Sequence, residues 1–296
     1  MNRFFLSALL LLSFSPAWCD LEGHPVTMWR AAGVNNSVYL LGSIHLLRPQ
    51  DLPLPSVVDA AYDDAEVLVM ELDMDDLGSD VTQLFARSGV MKDGATLRQV
   101  MGEEDFARAA AAAEAIDIPI DLLAHSEPWL AAITVEMMIF YRIGFNPMLG
   151  VEMQMVSRAA RDGKPIEGLE TAEEQTAFLD GLSIETQRVM LLQTLEEGAK
   201  ISESIDEIIH AWRNGDIAAL ESGLLEDLSE NAELAEALVN SRNRRWVDQI
   251  SELLDDDDDY LVIVGALHLI GEQGVPQLLA RDGVEIDQLS EPPPVQ

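Results

Sequence analysis

The sequence predicts an α/β protein whose central sheet is built from two similar units, each a strand, a Gly-x-x-His segment and a helix. Short apolar runs that end at glycine lie near both ends of the chain, at residues 38–41 and 260–264. Between them, from about residue 96 to residue 254, apolar residues recur at helical spacing. The middle of the chain is therefore expected to form a large, mainly helical insertion.

The first unit contains the signals of a parallel sheet. The strand at residues 38–41 stops at Gly42, and Pro53 and Pro55 then precede a helical pattern. A second apolar strand follows at residues 67–72. A strand, a helix and a strand in this order are typical of a βαβ unit.

The remaining elements follow from the same periodicities. In the middle, the pattern predicts four helices and one short strand, and near the end a strand, a helix and a last strand. One domain covering residues 20–290 accommodates all of them, with a proline-rich tail at residues 291–296. The middle helices are expected at residues 106–116, 129–141, 152–161 and 184–195, the short strand at 165–169, and the final three elements at 260–264, 275–281 and 284–289.

Residues 1–19 have the layout of a secretory signal peptide. Arg3 precedes an apolar run at residues 4–14, and small residues lie before Asp20. The run is shorter than the roughly 20 residues that span a membrane, so we expect a periplasmic or secreted protein without a stable span after cleavage. A retained anchor and a lipid on Cys19 are the alternatives.

The composition argues against several kinds of site and partner. The chain has one cysteine, at position 19, so the mature protein would have neither a disulfide framework nor a thiolate nucleophile. With 18 basic and 53 acidic residues, the net charge is −35, which argues against nucleic acid as a partner. The acidic run at residues 255–259 lacks the alternating spacing of a calcium loop and is expected to be a solvated turn.

A short repeated sequence, the internal echo, occurs near both ends of the chain. Residues 42–46 read Gly-Ser-Ile-His-Leu and residues 265–269 read Gly-Ala-Leu-His-Leu, each after an apolar strand. In both copies a proline lies eleven residues beyond the glycine. Ligands of open α/β sheets bind outside the carboxyl ends of the strands, so His45 and His268 are expected to share a site there.

Acidic residues near strand ends complete the candidate site. Glu71 lies at the end of the second strand and can serve as a metal ligand or a general base, with Asp73 a weaker candidate on the same face. Glu170 follows the short middle strand and is a second catalytic candidate. Glu152 is a candidate for substrate binding, although the dipole of the helix that begins there also favours a carboxylate.

Other polar residues receive structural interpretations. We expect Glu174 on a helix surface and Gln175 in helix packing. His24, His125 and His210 have no echo and are expected to be solvent or core histidines. Neither a zinc-protease helix motif nor a Gly-x-Ser-x-Gly elbow is present in the sequence, so a serine-hydrolase triad has no support.

The chain resembles the TraB/GumN family, which includes the Tiki proteases, over about residues 29–289. Ser43 is the one departure in the first motif, where threonine is more usual. The motifs that carry the resemblance are residues 39–45, 69–72, 163–165, 168–171 with Gln175, Trp212 with residues 215–216, residues 242–243 with Trp246, and residues 264–269 with Gly271 and Gly274.

The resemblance implies an active site that contains His45, Glu71 and His268. It also implies that Arg242 and Asn243 orient a substrate or ligand, while structural ion pairs are the alternative for Arg242. The Tiki members of the family resemble metal-dependent peptidases that act on secreted proteins.

Two functions follow as hypotheses. In the first, a divalent ion held by the two histidines and a carboxylate activates water against a peptide or protein amide bond. Mixed histidine and carboxylate ligands suit manganese, cobalt or zinc alike. In the second, a non-catalytic periplasmic protein uses the same crevice to bind a metal complex or small ligand.

Overall fold

The computed structural model describes residues 23–74 and 79–292, so the expected signal peptide and the last four residues of the expected tail lie outside the described residues. Within the described ranges, six strands form one mixed sheet and the remaining elements are helical. The strands are β1 (Pro25–Ala32), β2 (Ser37–Ser43), β3 (Val67–Leu72), β4 (Ile166–Glu170), β5 (Tyr260–Gly265) and β6 (Ile286–Ser290).

The helices lie mostly between β3 and β5, as the helical spacing of the middle segment predicts. They are α1 (Ser56–Asp64), α2 (Ser79–Ser88), α3 (Leu97–Met101), α4 (Glu103–Ala115), α5 (Pro128–Arg142), α6 (Val151–Asp162), α7 (Ala172–Asp180), α8 (Ile184–Glu197), α9 (Ile201–Arg213), α10 (Ile217–Leu220), α11 (Glu226–Ser229), α12 (Ala232–Ala235), α13 (Ser241–Leu253) and α14 (Val275–Arg281). Short π-helical segments, Glu221–Leu225 and Glu236–Asn240, join α10 to α11 and α12 to α13.

The sheet has the strand order β4-β3-β5-β2-β1-β6. Strands β4, β3, β5 and β2 are parallel, whereas β1 is antiparallel to both β2 and β6. The two strands of the internal echo are neighbours, with Gly42 opposite Val264 and Ser43 opposite Gly265. Four parallel strands therefore end at one edge of the sheet.

Strand β5 occupies the centre of the parallel part, and all six of its residues are buried. A strand covered on both faces reads as a continuous apolar run, which is the pattern seen in the sequence. Helices pack on the sheet to form the larger core, in which Trp246 of α13 and Tyr62 of α1 are among the largest fully buried side chains. A second, separate core lies among α3, α4, α5 and α8.

The mixed α/β class expected from the sequence is confirmed, with one strand missing from the expectation. Strand β1 was not expected from the sequence; it begins at Pro25 and carries Arg30 in its middle. Arg30 is tolerated in the strand because its guanidinium donates to the Ser37 hydroxyl across the strand pair, at 2.8 and 3.0 Å. In the described residues, no helix is long and apolar enough to cross a membrane.

Candidate active site

The site lies where β2, β3 and β5 end. The backbone of Gly265, the last residue of β5, is at its floor, and a methyl group added there would lie 3.4 Å from Glu71 Oε1. The same methyl position is 3.6 Å from His268 Cδ2 and 3.7 Å from His45 Nε2. The structure therefore brings the two echo histidines and Glu71 around one small volume.

His45 is held by a carboxylate from α6. Its Nδ1 lies 2.7 Å from Glu152 Oε1, and the Ser43 hydroxyl donates to the same oxygen. The negative charge of Glu152 raises the pKa of His45 to about 10, against the opposing effect of burial. Burial also opposes ionisation of Glu152, but the charge and hydrogen bond of His45 outweigh it and lower its pKa. His45 Nε2 is left on the side of Gly265, where an added methyl group would lie 3.7 Å from Nε2 and 3.4 Å from Glu71 Oε1.

A glycine allows α6 to approach this closely. The N–H of Val151 donates to the carbonyl of Ile44 at 3.1 Å, which joins the start of α6 to the loop that carries His45. A methyl group on Gly150 would lie only 2.1 Å from the carbonyl oxygen of His45. Real atoms do not approach that closely, so glycine at this position is a condition for the contact between Glu152 and His45.

His268 is buried and held by Asn243 of α13. The Asn243 amide donates to the carbonyls of His268 and Gln273, at 3.2 and 2.7 Å, so its oxygen is left to accept from His268 Nδ1 at 2.6 Å. This pattern places the proton on Nδ1 and leaves Nε2 as the free acceptor. Burial lowers the pKa of His268 to about 3, so the imidazole is neutral at physiological pH.

Glu71 is fixed by three donors. The Gly265 N–H donates to Oε1 at 2.9 Å, while Arg242 Nη2 and Gln175 Nε2 donate to Oε2 at 2.7 and 3.1 Å. Burial alone would raise the pKa of Glu71, but the positive charges that surround it lower the pKa to about 2. Those charges are on His268 in its protonated form, Arg242 and His45. Glu71 is therefore a carboxylate at any physiological pH.

Arg242 connects the carboxylates behind the site. Its guanidinium donates to Glu71 and to both oxygens of Glu170, at 2.7 to 3.1 Å, and Nη1 donates to the Leu238 carbonyl. Nη1 also lies 3.2 Å from His268 Nε2. Every arm of the guanidinium thus has a partner, and the ion pairs anticipated as the alternative role for Arg242 are present.

Glu170 lies deeper than its expected catalytic role requires. Its side chain is 1% exposed, and Arg242 and Arg245 both bind its oxygens. A carboxylate enclosed by two guanidinium groups has no free lone pair directed at the crevice, so its position suits anchoring Arg242. Asn243 is likewise fully buried behind His268, where it can orient the imidazole but not reach a substrate.

Gln175 belongs to the site, and its expected assignment to helix packing is wrong. The side chain donates to Glu71 and lines the adjoining cavity. Its position follows from a capping box at the start of α7, in which Thr171 and Glu174 exchange backbone and side-chain hydrogen bonds. The capping box was visible in the sequence and could have shown that a helix begins at Ala172, which places Gln175 near its start at the strand edge.

A cavity of about 300 Å³ opens beside Glu71. The residues that line it are His45, Met70, Glu71, Leu72, Met74, Pro147, Glu152, Met153 and Gln175. The polar groups of the site therefore face a largely apolar cavity.

The remaining histidines, His24, His125 and His210, are exposed, and Asp73 lies just beyond the end of β3.

The chemistry of the donor set suits a divalent cation. Two imidazoles, each with Nδ1 held by an acceptor, and the carboxylate of Glu71 are the kinds of ligand that such an ion takes. His45, whose pKa is raised to about 10, would have to release a proton before its Nε2 could bind the ion. Within residues 23–74 and 79–292, however, no three His, Cys, Asp or Glu side chains are already arranged as a ligand shell. Arg242 bonds to both Glu71 and His268, so it would have to yield one of these contacts to an incoming ion.

The fold and site define an α/β protein with a histidine and carboxylate crevice at the carboxyl ends of its parallel strands. Residues 27–288 match the TraB/PrgY/gumN family, and the chain belongs to it. It is 26% identical over 275 residues to the uncharacterized protein YbaP of Escherichia coli K12 and equally to that of Shigella flexneri. These alignments cover 91% of this chain and 99% of each relative. No solved structure matches the chain.

Proposed function

We propose that the protein is an exported, metal-dependent hydrolase that cleaves peptide or protein amide bonds. The observation that carries the proposal is the convergence of His45 Nε2, His268 and Glu71 around Gly265. His45, His268 and Glu71 would hold manganese, cobalt or zinc. Such an ion supplies Lewis acidity and lowers the pKa of a bound water to about 7.

Neighbouring side chains orient His45, His268 and Glu71 for these roles. Glu152 accepts the Nδ1 proton of His45, and Asn243 accepts that of His268, so Nε2 of each ring is the atom that would bind the ion, with loss of the second proton of His45 on binding. Glu71 stays ionised and can accept a proton from the attacking water. Gln175 fixes the orientation of Glu71 by binding its second oxygen.

Arg242 gives the crevice a positive group next to the reacting atoms. Its contact with Glu71 keeps that carboxylate from drifting, and Glu170 and the Leu238 carbonyl hold the guanidinium itself. Because every arm of the guanidinium already has a partner, it would stabilise, through its positive charge and not through a free N–H, the oxyanion that forms when an amide carbonyl is attacked. This role extends the expected one, in which Arg242 orients a substrate.

The test combines metal analysis with turnover. The purified protein is loaded with manganese, cobalt or zinc, its metal content is measured by mass spectrometry, and cleavage is followed with a peptide library. His45→Ala and His268→Ala should lose both metal and cleavage, because each removes one of few ligands. His210→Ala is the matched control, since His210 is exposed and should change neither measurement.

Glu71→Gln separates two roles of that carboxylate. If Glu71 acts mainly as the base, the variant should keep its metal and lose roughly 10²–10⁴-fold in rate. If Glu71 is a ligand, metal content should fall as well. Circular dichroism should be unchanged in all variants. Metal content and cleavage at the parent level in both histidine variants would overturn the proposal, and metal binding without cleavage by the parent would instead support a binding protein.

A further inference from the structure

Both apolar and polar residues line the cavity beside Glu71. Its wall is formed by Met70 and Leu72 of β3, Met74, Pro147 and Met153. The polar groups that line it are the two site residues His45 and Glu71 together with Glu152 and Gln175. A volume of about 300 Å³ is at the lower end of the range of small-ligand pockets.

The wall combines a fixed part with an adaptable part. Met70 is 1% exposed and belongs to the main core, so it is the fixed part. Met74 and Met153 are only partly buried and form the adaptable part. Methionine side chains are unbranched and polarizable, and they adjust to apolar groups of irregular shape.

We propose that this cavity, the methionine pocket, receives a long apolar side chain of the peptide substrate, from a residue that adjoins the cleaved bond. The inference rests on the proposed hydrolytic function and adds the substrate class. An apolar chain that enters between His45 and Glu71 and contacts the wall leaves its backbone amide beside the groups assigned to the reaction. The burial of each methylene favours binding by about fourfold, so longer apolar chains are favoured over glycine.

The lining of the cavity disfavours acidic side chains. Glu71 and Glu152 both contribute their carboxyl groups to the lining. An aspartate or glutamate side chain at the same position would be repelled by these carboxylates and would lose its hydration against the apolar wall. The pocket therefore selects apolar over acidic residues.

Binding can be tested without turnover. The chain contains 12 methionines, and the methyl signals of Met74 and Met153 in protein labelled with ¹³C-methyl methionine can be assigned by Met74→Leu and Met153→Leu. N-acetyl-L-methionine amide should shift these two signals to saturation. N-acetylglycine amide and N-acetyl-L-aspartic acid amide at the same concentrations should not.

Met153→Glu places a charge on the pocket wall. Met153 is the third residue of α6, where a carboxylate is compatible with the helix N-terminus, so the fold should be retained. Binding of N-acetyl-L-methionine amide should weaken at least about tenfold, since the pocket is no longer apolar. Met148→Glu is the matched control, because Met148 is 61% exposed, near the pocket and not part of its lining. Met153→Trp, which fills the pocket without a charge, should also abolish binding.

A cleavage assay distinguishes failure of the methionine pocket from failure of the hydrolytic function. His268→Ala should stop cleavage and still bind the methionine amide, because His268 does not line the pocket. In the parent, peptides with methionine beside the cleaved bond should react at least about tenfold faster than those with glycine. Cleavage without that preference, or the lack of methyl shifts in the parent, would overturn the pocket assignment. Methyl shifts without any cleavage would support the pocket and remove the hydrolase.

Discussion

Two glycines in the site, Gly150 and Gly265, differ in what a side chain would meet at each position. A methyl group on Gly150 would collide with the backbone of His45, whereas one on Gly265 would meet only ordinary contacts of 3.4 Å or more. Gly150 is therefore needed for the fold around Glu152, and Gly265 keeps space open in the crevice. Substitution by alanine at each position separates the two roles.

Gly150→Ala should destabilise the protein by about 1–3 kcal/mol, because the start of α6 must move away from the loop that carries His45. Urea unfolding followed by circular dichroism measures the difference. Gly223→Ala is the control, since its nearest neighbour is the flexible side chain of Ile208, at 3.2 Å, and the loss there should be smaller. Equal stability of Gly150→Ala and the parent would contradict the close contact.

Gly265→Ala should leave the fold intact, because Gly265 has a φ of −49°, which alanine adopts freely. The added methyl would lie among Glu71, His268 and His45 and should lower metal content and cleavage. The free energy of unfolding, measured in urea, should lie within about 0.5 kcal/mol of the parent value, as for other substitutions of glycine at compatible positions. Loss of stability together with metal would point to a structural role in place of an open crevice.

The sequence indicated those site residues that lie at or just after the end of a strand. His45, His268 and Glu71 were all expected from the strand, Gly and His pattern, and the structure brings them together. The contacts of Gln175 and the burial of Glu170 were not foreseen. Both depend on how a helix from the middle of the chain packs on the sheet edge, and such packing leaves no periodic signal in the sequence.

At the scale of elements, the C-terminal segment tethers the first helix. Glu291 accepts from the N–H groups of Ser56 and Val57 at the start of α1, at 2.9 and 3.0 Å. The first turn of a helix has N–H groups without partners inside the helix, so an ionised carboxylate stabilises it. Burial works against ionisation, but these two donors outweigh it and lower the pKa of Glu291.

Glu291→Gln should destabilise the protein by about 0.5 kcal/mol at pH 7, a modest value because water screens the contact. The folded-state pKa is below the unfolded value of about 4.3, so the contribution is present above that pH. It should disappear as the pH falls through the folded-state pKa. Urea unfolding of parent and variant between pH 7 and pH 3 measures this, and a difference that grows toward low pH would have the wrong sign.

Element prediction succeeded where one period dominated. The buried strand β5 and the long helices α5 and α8 matched the expected ranges within a few residues. Strand β1 was missed because Pro25 and Arg30 interrupt its apolar pattern. Pro25 is the exposed first residue of the strand, and the hydrogen bond to Ser37 compensates for Arg30. Its antiparallel pairing with β2 and β6 was therefore not foreseen either.

At the scale of the whole molecule, a net charge of −35 produces self-repulsion in the compact state. Sodium chloride should therefore raise the melting temperature, with most of the rise between about 0.01 and 0.15 M, where the screening length falls from roughly 30 to 8 Å. Differential scanning calorimetry measures the shift. Calcium chloride at matched ionic strength should act similarly, and a much larger rise with calcium would identify a specific site in place of screening.

The central position of β5 also sets the order in which the protein can be assembled during translation. Strands β2 and β3 emerge early from the ribosome, but each pairs with β5, which begins only at Tyr260. A nascent chain that stops before this point has two buried strands without the neighbour that joins them, and it lacks His268 entirely. The sheet can close only after β5 has been synthesised, so until then the growing polypeptide presents open strand edges that a chaperone can hold in an extended form.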